Sequence, residues 1–171
     1  YYDELQICLH QALYESKGIA AVRYPRGGQL FRPFDFHGSR QGFDLYGPVG
    51  AKIVLVTYGR LFSNACLARL ALDRQGIRTR ILKLNRIIPV DPEAVRNAAA
   101  ADRVFFFEEG FSHGGVGERF SCLLQSAGFQ GTFRLRAIEG FVLHQTMPQA
   151  LESLGLDAEG MAEQIRSECL N

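Results

Sequence analysis

From residue 51 onward the sequence alternates strand patterns with helix patterns, and this alternation restricts the fold more than any other property of the chain. Residues 52–58 (KIVLVTY) form a continuous apolar run, as expected for a strand covered on both faces. Gly59 turns the chain, and Ser63 or Asn64 is positioned to cap a helix running to Gly76. Residues 77–84 (IRTRILKL) alternate, which predicts a strand with one wetter face. Asp91-Pro92 pairs a capping residue with proline at the first helical position and opens a short helix through Ala101. Residues 103–108 (RVFFFE) read as a second buried strand. A glycine-rich turn at 110–117 and a helix to about Ser126 follow it. Residues 133–138 (FRLRAI) are the last strand, and residues 148–154 and 157–170 are closing helices, the second capped by Asp157. Strands joined through helices require right-handed crossovers, so the expected fold class is α/β, a three-layer and mostly parallel sheet.

The region before residue 51 reads differently. Asp3 can cap a helix whose Leu5, Leu9 and Leu13 recur every four residues as one apolar stripe. Gly18 is the expected left-handed stop, and residues 19–24 (IAAVRY) form a short apolar, strand-like run. Gly27, Gly28, Pro33, Gly38, Gly42, Gly47 and Pro48 then punctuate a stretch without lasting periodicity. The predicted organisation is a terminal helix and strand over 1–27, a linker between domains over 28–50, and an α/β domain over 51–171.

A hydrophobic share of 47% in 171 residues is ample for a core. A net charge of +1 with interspersed signs leaves no basic face for nucleic acid. No apolar run approaches the roughly 20 residues that span a bilayer, and no signal-peptide pattern opens the chain; a cytoplasmic location is expected. Cys8, Cys66, Cys122 and Cys169 are too far apart for a metal or redox motif and all fall in predicted helices, as small buried thiols would. Tyr1-Tyr2-Asp3-Glu4 lacks an initiator methionine and leads straight into a helical pattern. The expectation is therefore a piece of a longer protein.

Chemistry concentrates in two places. Arg23 lies where the 19–24 run meets Pro25 and the paired glycines, the strand-to-loop position that contacts ligands in α/β proteins. A guanidinium there can grip a phosphate or carboxylate through two parallel hydrogen bonds, or it can pair with a nearby acid. The second place is the segment 105–118 (FFFEEGFSHGGVGE), where Glu108 and Glu109 precede glycines and a helix start. Its amides could hold an anion; alternatively the glycines permit close packing while one glutamate bonds those amides. The spacing fits neither a P-loop nor a dinucleotide fingerprint. His10, His37, His113 and His144 show no zinc spacing. No nucleophile–base pairing is visible, so no catalytic or metal-binding residue is assigned.

Together AVRYPRGG, IVLVTYG, RILKLNRIIPVDPEAV, FFFEEGFSHGGVGERF and LESLGLDAEGMAEQI resemble the C-terminal end of the 1-deoxy-D-xylulose-5-phosphate synthases, which belong to the transketolase-like, thiamine-diphosphate-dependent family. The resemblance covers nearly the whole chain. It implies that residues 1–27 are the last elements of a pyrimidine-binding domain and that residues from about 51 form a domain of the transketolase C-terminal type. It implies a parent transferase of isoprenoid and thiamine precursor biosynthesis, a homodimer using thiamine diphosphate and Mg2+. Those cofactors would be held by domains absent from this chain, with none bound here. The partner is then the rest of the parent enzyme. In the resemblance the first arginine of AVRYPRG, which holds the acceptor's phosphate, falls on Arg23, while Arg26 is more naturally an ion-pair or linker anchor. Ile88 stands where the family commonly has lysine, Gly110 where it has asparagine, and Ile138-Glu139-Gly140 where it has Leu-Pro-Asp, departures that mark a divergent branch. Two other classes share parts of the pattern: a subunit-interaction domain of a 2-oxoacid dehydrogenase β chain, and an independent nucleotide- or anion-binding domain using the 110–117 turn.

Overall fold

The computed structural model describes residues 1–170. Five strands form one sheet in the order β1-β3-β2-β4-β5: β1 (Phe43–Tyr46), β2 (Ile53–Tyr58), β3 (Thr79–Leu84), β4 (Arg103–Phe111) and β5 (Thr132–Ile138). β2, β3, β4 and β5 run parallel, and β1 pairs antiparallel with β3 at one edge. The helices are α1 (Tyr2–His10, continued by a wider π-type turn over Gln11–Glu15), α2 (Leu61–Arg74), α3 (Pro92–Ala99), α4 (Val116–Ser126), α5 (Met147–Ser153) and α6 (Ala158–Leu170). The predicted three-layer α/β architecture is the one observed.

Alternation along each strand sorts the core into two layers. Leu55, Ile81, Phe105 and Phe107 pack against α2 and α6, with Phe62, Leu72, Met161 and Ile165 among their neighbours. Val54, Val56, Leu82, Val104 and Phe106 pack on the opposite face against α3 and α4, with Val95, Phe120 and Leu124. Each fully buried phenylalanine contributes about 1.5–3 kcal/mol of apolar transfer. Caps agree with the sequence at two helices: Asp91 accepts from the Glu93 N–H at 2.9 Å and Asp157 from the Gly160 N–H at 3.0 Å.

Several expectations change. Residues 28–50 are not simply a linker, because β1 lies within them and Phe36 is a core residue at 2% exposure. β1 escapes notice because four residues between Gly42 and Gly47 are too few to display a period. Gly47 takes φ of 103°, and a Cβ there would stand 2.9 Å from the Thr79 carbonyl oxygen, which locks the end of β1 to the start of β3. Residues 19–24 form no strand. A strand needs a hydrogen-bonding neighbour, and among the described residues none runs beside this run; Ile19 is fully exposed.

Asp3 does not cap α1. It lies in the first turn, where its carboxylate accepts from Arg32 at 2.7 Å. Gly18 is not among the glycines with positive φ. α2 starts at Leu61, ahead of the expected cap, and Asn64 instead donates to the Leu156 carbonyl at 2.9 Å. β3 has no wet face, since Thr79 and Ile81–Leu84 are all buried. Of the cysteines Cys66 is buried, Cys8 and Cys169 are half-buried, and Cys122 is exposed on α4.

Candidate functional site

β3 and β4 flank β2 on opposite sides, so the chain reverses its winding there. The crevice beyond the C-terminal ends of β2 and β4 is the position where open α/β sheets bind ligands. Tyr58 ends β2, Glu108 and Glu109 lie near the end of β4, and the α4 N-terminus faces them.

Glu108 fills this crevice. At 1% exposure, its Oε1 accepts from the Gly117 N–H at 2.9 Å, and its Oε2 accepts from the Val116 N–H at 3.1 Å and from the Tyr58 hydroxyl at 2.9 Å. A carboxylate on the first amides of a helix also meets the positive end of the helix dipole. The glycines make this approach possible. A Cβ on Gly117 would stand 2.4 Å from Leu135 Cδ1, and one on Gly115 would stand 2.2 Å from the Phe111 carbonyl oxygen. The reading of 110–117 as an anion site is therefore overturned: the protein's own glutamate already holds the amides. Glu118 closes the same turn by accepting from the Gly114 N–H at 2.6 Å.

The adjacent glutamate is set up differently. Glu109 meets the Arg60 guanidinium at 3.2 Å on the rim. Burial pushes its carboxyl above the ordinary range, while the charge of Arg60 pulls the other way. Burial, then the charge of Glu108, drives the Tyr58 hydroxyl well above the usual phenol range; the Arg23 guanidinium is the nearby charge pulling it down. Arg23 itself is exposed, and among the described residues no acid pairs with its guanidinium. Arg26 is exposed as well and likewise has no ion-pair partner among the described residues. His10 bonds Glu15 at 3.1 Å, and among the described residues no three His, Cys, Asp or Glu side chains gather as a metal site. Among them, too, no helix is long and apolar enough to cross a membrane.

A second constellation was missed by the sequence reading. The first residues of α1 sit on the body where Lys83 of β3 bonds Glu4 and Asn85. Phe36 and Phe62 present their rings to the ammonium at 5.5 Å. Tyr1 packs edge-on to Phe36 with ring centroids 4.4 Å apart. The one available signal was a lysine inside an otherwise apolar strand end; its partner lies 79 residues earlier.

A family model described as the transketolase C-terminal domain matches residues 47–161. Among curated relatives, a 1-deoxy-D-xylulose-5-phosphate synthase of Chlorobium luteolum is 31% identical over 168 residues, covering 96% of this chain and 27% of the relative. The synthase of Chlorobium phaeovibrioides is 32% identical over 169 residues, covering 96% and 26%. That of Aromatoleum aromaticum is 33% identical over 157 residues, covering 90% and 24%. The chain thus spans about a quarter of the length of these relatives. A solved structure described as a split gene transketolase, inactive beta4 tetramer, superposes with a TM-score of 0.67 at 22% identity, covering 82% of this chain and 46% of that one. That likeness is one of fold.

Proposed function

The chain belongs to the transketolase C-terminal domain family, and from that premise we propose that it works as the C-terminal part of a 1-deoxy-D-xylulose-5-phosphate synthase-like enzyme. Such an enzyme is a thiamine-diphosphate-dependent transferase that decarboxylates pyruvate and joins the two-carbon unit to glyceraldehyde 3-phosphate. In this reading residues from about 51 are a scaffold and dimer-forming body, and residues 1–27 close a preceding domain. The protein acts in the cytoplasm. The observation that carries the reading is the reach of the similarity. Relatives bearing that name align over 96% of this chain, arm and body together.

The residues present do not fit the cofactors themselves. Among the described residues no carboxylate cluster suits magnesium, and Glu108 occupies the amides that could otherwise hold a diphosphate. The reading therefore assigns both to segments of the longer enzyme. This chain's direct contribution is Arg23, an exposed guanidinium on a segment outside helix and strand, suited to two parallel hydrogen bonds with the acceptor's phosphate.

In the longer enzyme, Arg23→Ala is expected to raise KM for glyceraldehyde 3-phosphate roughly thirtyfold, the loss of a charge-assisted pair, with KM for pyruvate unchanged. An unaltered acceptor KM removes Arg23 from the site. The chain alone, given thiamine diphosphate, Mg2+ and both substrates, is expected to show no turnover; product would overturn the scaffold role.

A further inference from the structure

Among the described residues two charged side chains are buried, Glu108 and Lys83, and they are satisfied in different ways. Glu108 finds all its partners inside the body. Lys83, at 2% exposure, has from the body a neutral hydrogen bond to Asn85 and the face of Phe62, with the face of Phe36 from the returning chain beside it. Asn85 is itself engaged by Asp44, to which its amide donates at 2.8 Å. The anion that touches the ammonium is Glu4, and Glu4 belongs to α1. A buried cation stripped of its counter-charge is costly, so the body needs α1 in place.

The same end of α1 also clamps the returning strand of chain. The Tyr1 hydroxyl bonds the Phe31 carbonyl at 2.5 Å, Arg32 forks onto Asp3 at 2.7 and 3.3 Å, and the Tyr2 N–H meets Gln29 Oε1 at 3.4 Å. Further out, Arg40 pairs with Glu15. Residues 16–28, with Arg23 in their midst, are therefore an excursion whose two legs are tied to each other and, through Glu4, to β3.

We infer that Lys83 is a positioning residue: its ion pair with Glu4 latches α1 to β3 and so fixes the base of the excursion that carries Arg23. The latch stands on geometry alone; its consequence for substrate rests on the phosphate reading of Arg23.

Hydrogen exchange on the full chain, read by mass spectrometry, tests it. In Lys83→Met and in Glu4→Gln, amides of residues 2–15 are expected to exchange on the order of a hundredfold faster, while β2, β3, β4 and β5 keep their protection. The charge-swapped pair Glu4→Lys with Lys83→Glu should restore much of the lost protection, which a purely steric role for Lys83 would not allow. Unchanged exchange at 2–15 in both single variants overturns the latch. So does an equal rise throughout the sheet in both variants, which would make the pair a general stabiliser and not a tether. In the longer enzyme, Lys83→Met should raise the acceptor KM on the order of tenfold through misplacement of Arg23, with the pyruvate KM steady. A null effect of Arg23→Ala on the acceptor KM sinks the phosphate reading and leaves the exchange result standing. Normal exchange at 2–15 sinks the latch whatever Arg23 does.

Discussion

The arm over residues 1–40 and the body over residues 43–170 both carry many apolar side chains, and they use them in opposite ways. In the body, Phe105, Phe106 and Phe107 alternate between two covered faces and all three are buried. In the arm, Leu13 is 72% and Tyr24 69% exposed, and Ile19 and Phe34 face solvent fully. The difference is architectural. A sheet offers two faces and the chain returns with helices for both, whereas the arm's helix meets the body through its first turn, at Tyr1 and Glu4, and leaves Leu9 and Leu13 exposed. Apolar content does not make a core until something lies opposite it. Exposed apolar side chains gathered on one segment are the mark of a contact surface, in keeping with the proposal that the arm closes a preceding domain.

The sharpest contrast comes from equivalent truncations in the two regions. Phe106→Ala removes a ring packed 5.3 Å from Phe120 and should cost about 3–5 kcal/mol, whereas Leu13→Ser should stay within roughly 0.5 kcal/mol. Denaturant unfolding of the chain measures both, and similar midpoints for the two variants would break the comparison. Next in size, Glu108→Ala leaves the Val116 and Gly117 amides and the Tyr58 hydroxyl without their acceptor. The expected loss is about 2–3 kcal/mol, and a loss near zero would remove Glu108 as the tie between β4 and α4.

The smallest effect is a pH dependence. The folded state holds the Glu109 carboxyl above its ordinary value of 4.5, chiefly through burial, so it binds a proton more tightly folded than unfolded. The stability this proton supplies is complete below the unfolded value and fades as pH rises through the raised folded value. Glu109→Gln should flatten that part of the stability profile, as read from thermal melts across mildly acidic pH. An unchanged slope would show that Glu109 does not contribute to it.

β2 and β4 were legible because burial on both faces writes itself as unbroken apolar runs, at residues 52–58 and 103–108. β1 was not, since its four residues owe their state to pairing with β3 and carry no period of their own. The run at 19–24 has strand composition but, among the described residues, no strand beside it. At the candidate site the sequence offered the right residues with two outcomes for the 110–117 turn, and only geometry decides that Glu108 fills its own helix terminus. The Glu4–Lys83 pair was hidden for a plainer reason: 79 residues separate its members, and no local spacing rule links them.

Radical footprinting of Tyr14 and Tyr24, in this chain alone and within the longer polypeptide, bears most directly on the idea that the arm is a surface awaiting its neighbour. Heavy labelling of both in the isolated chain and strong protection in the longer protein is the predicted outcome. Equal labelling in the two would contradict it.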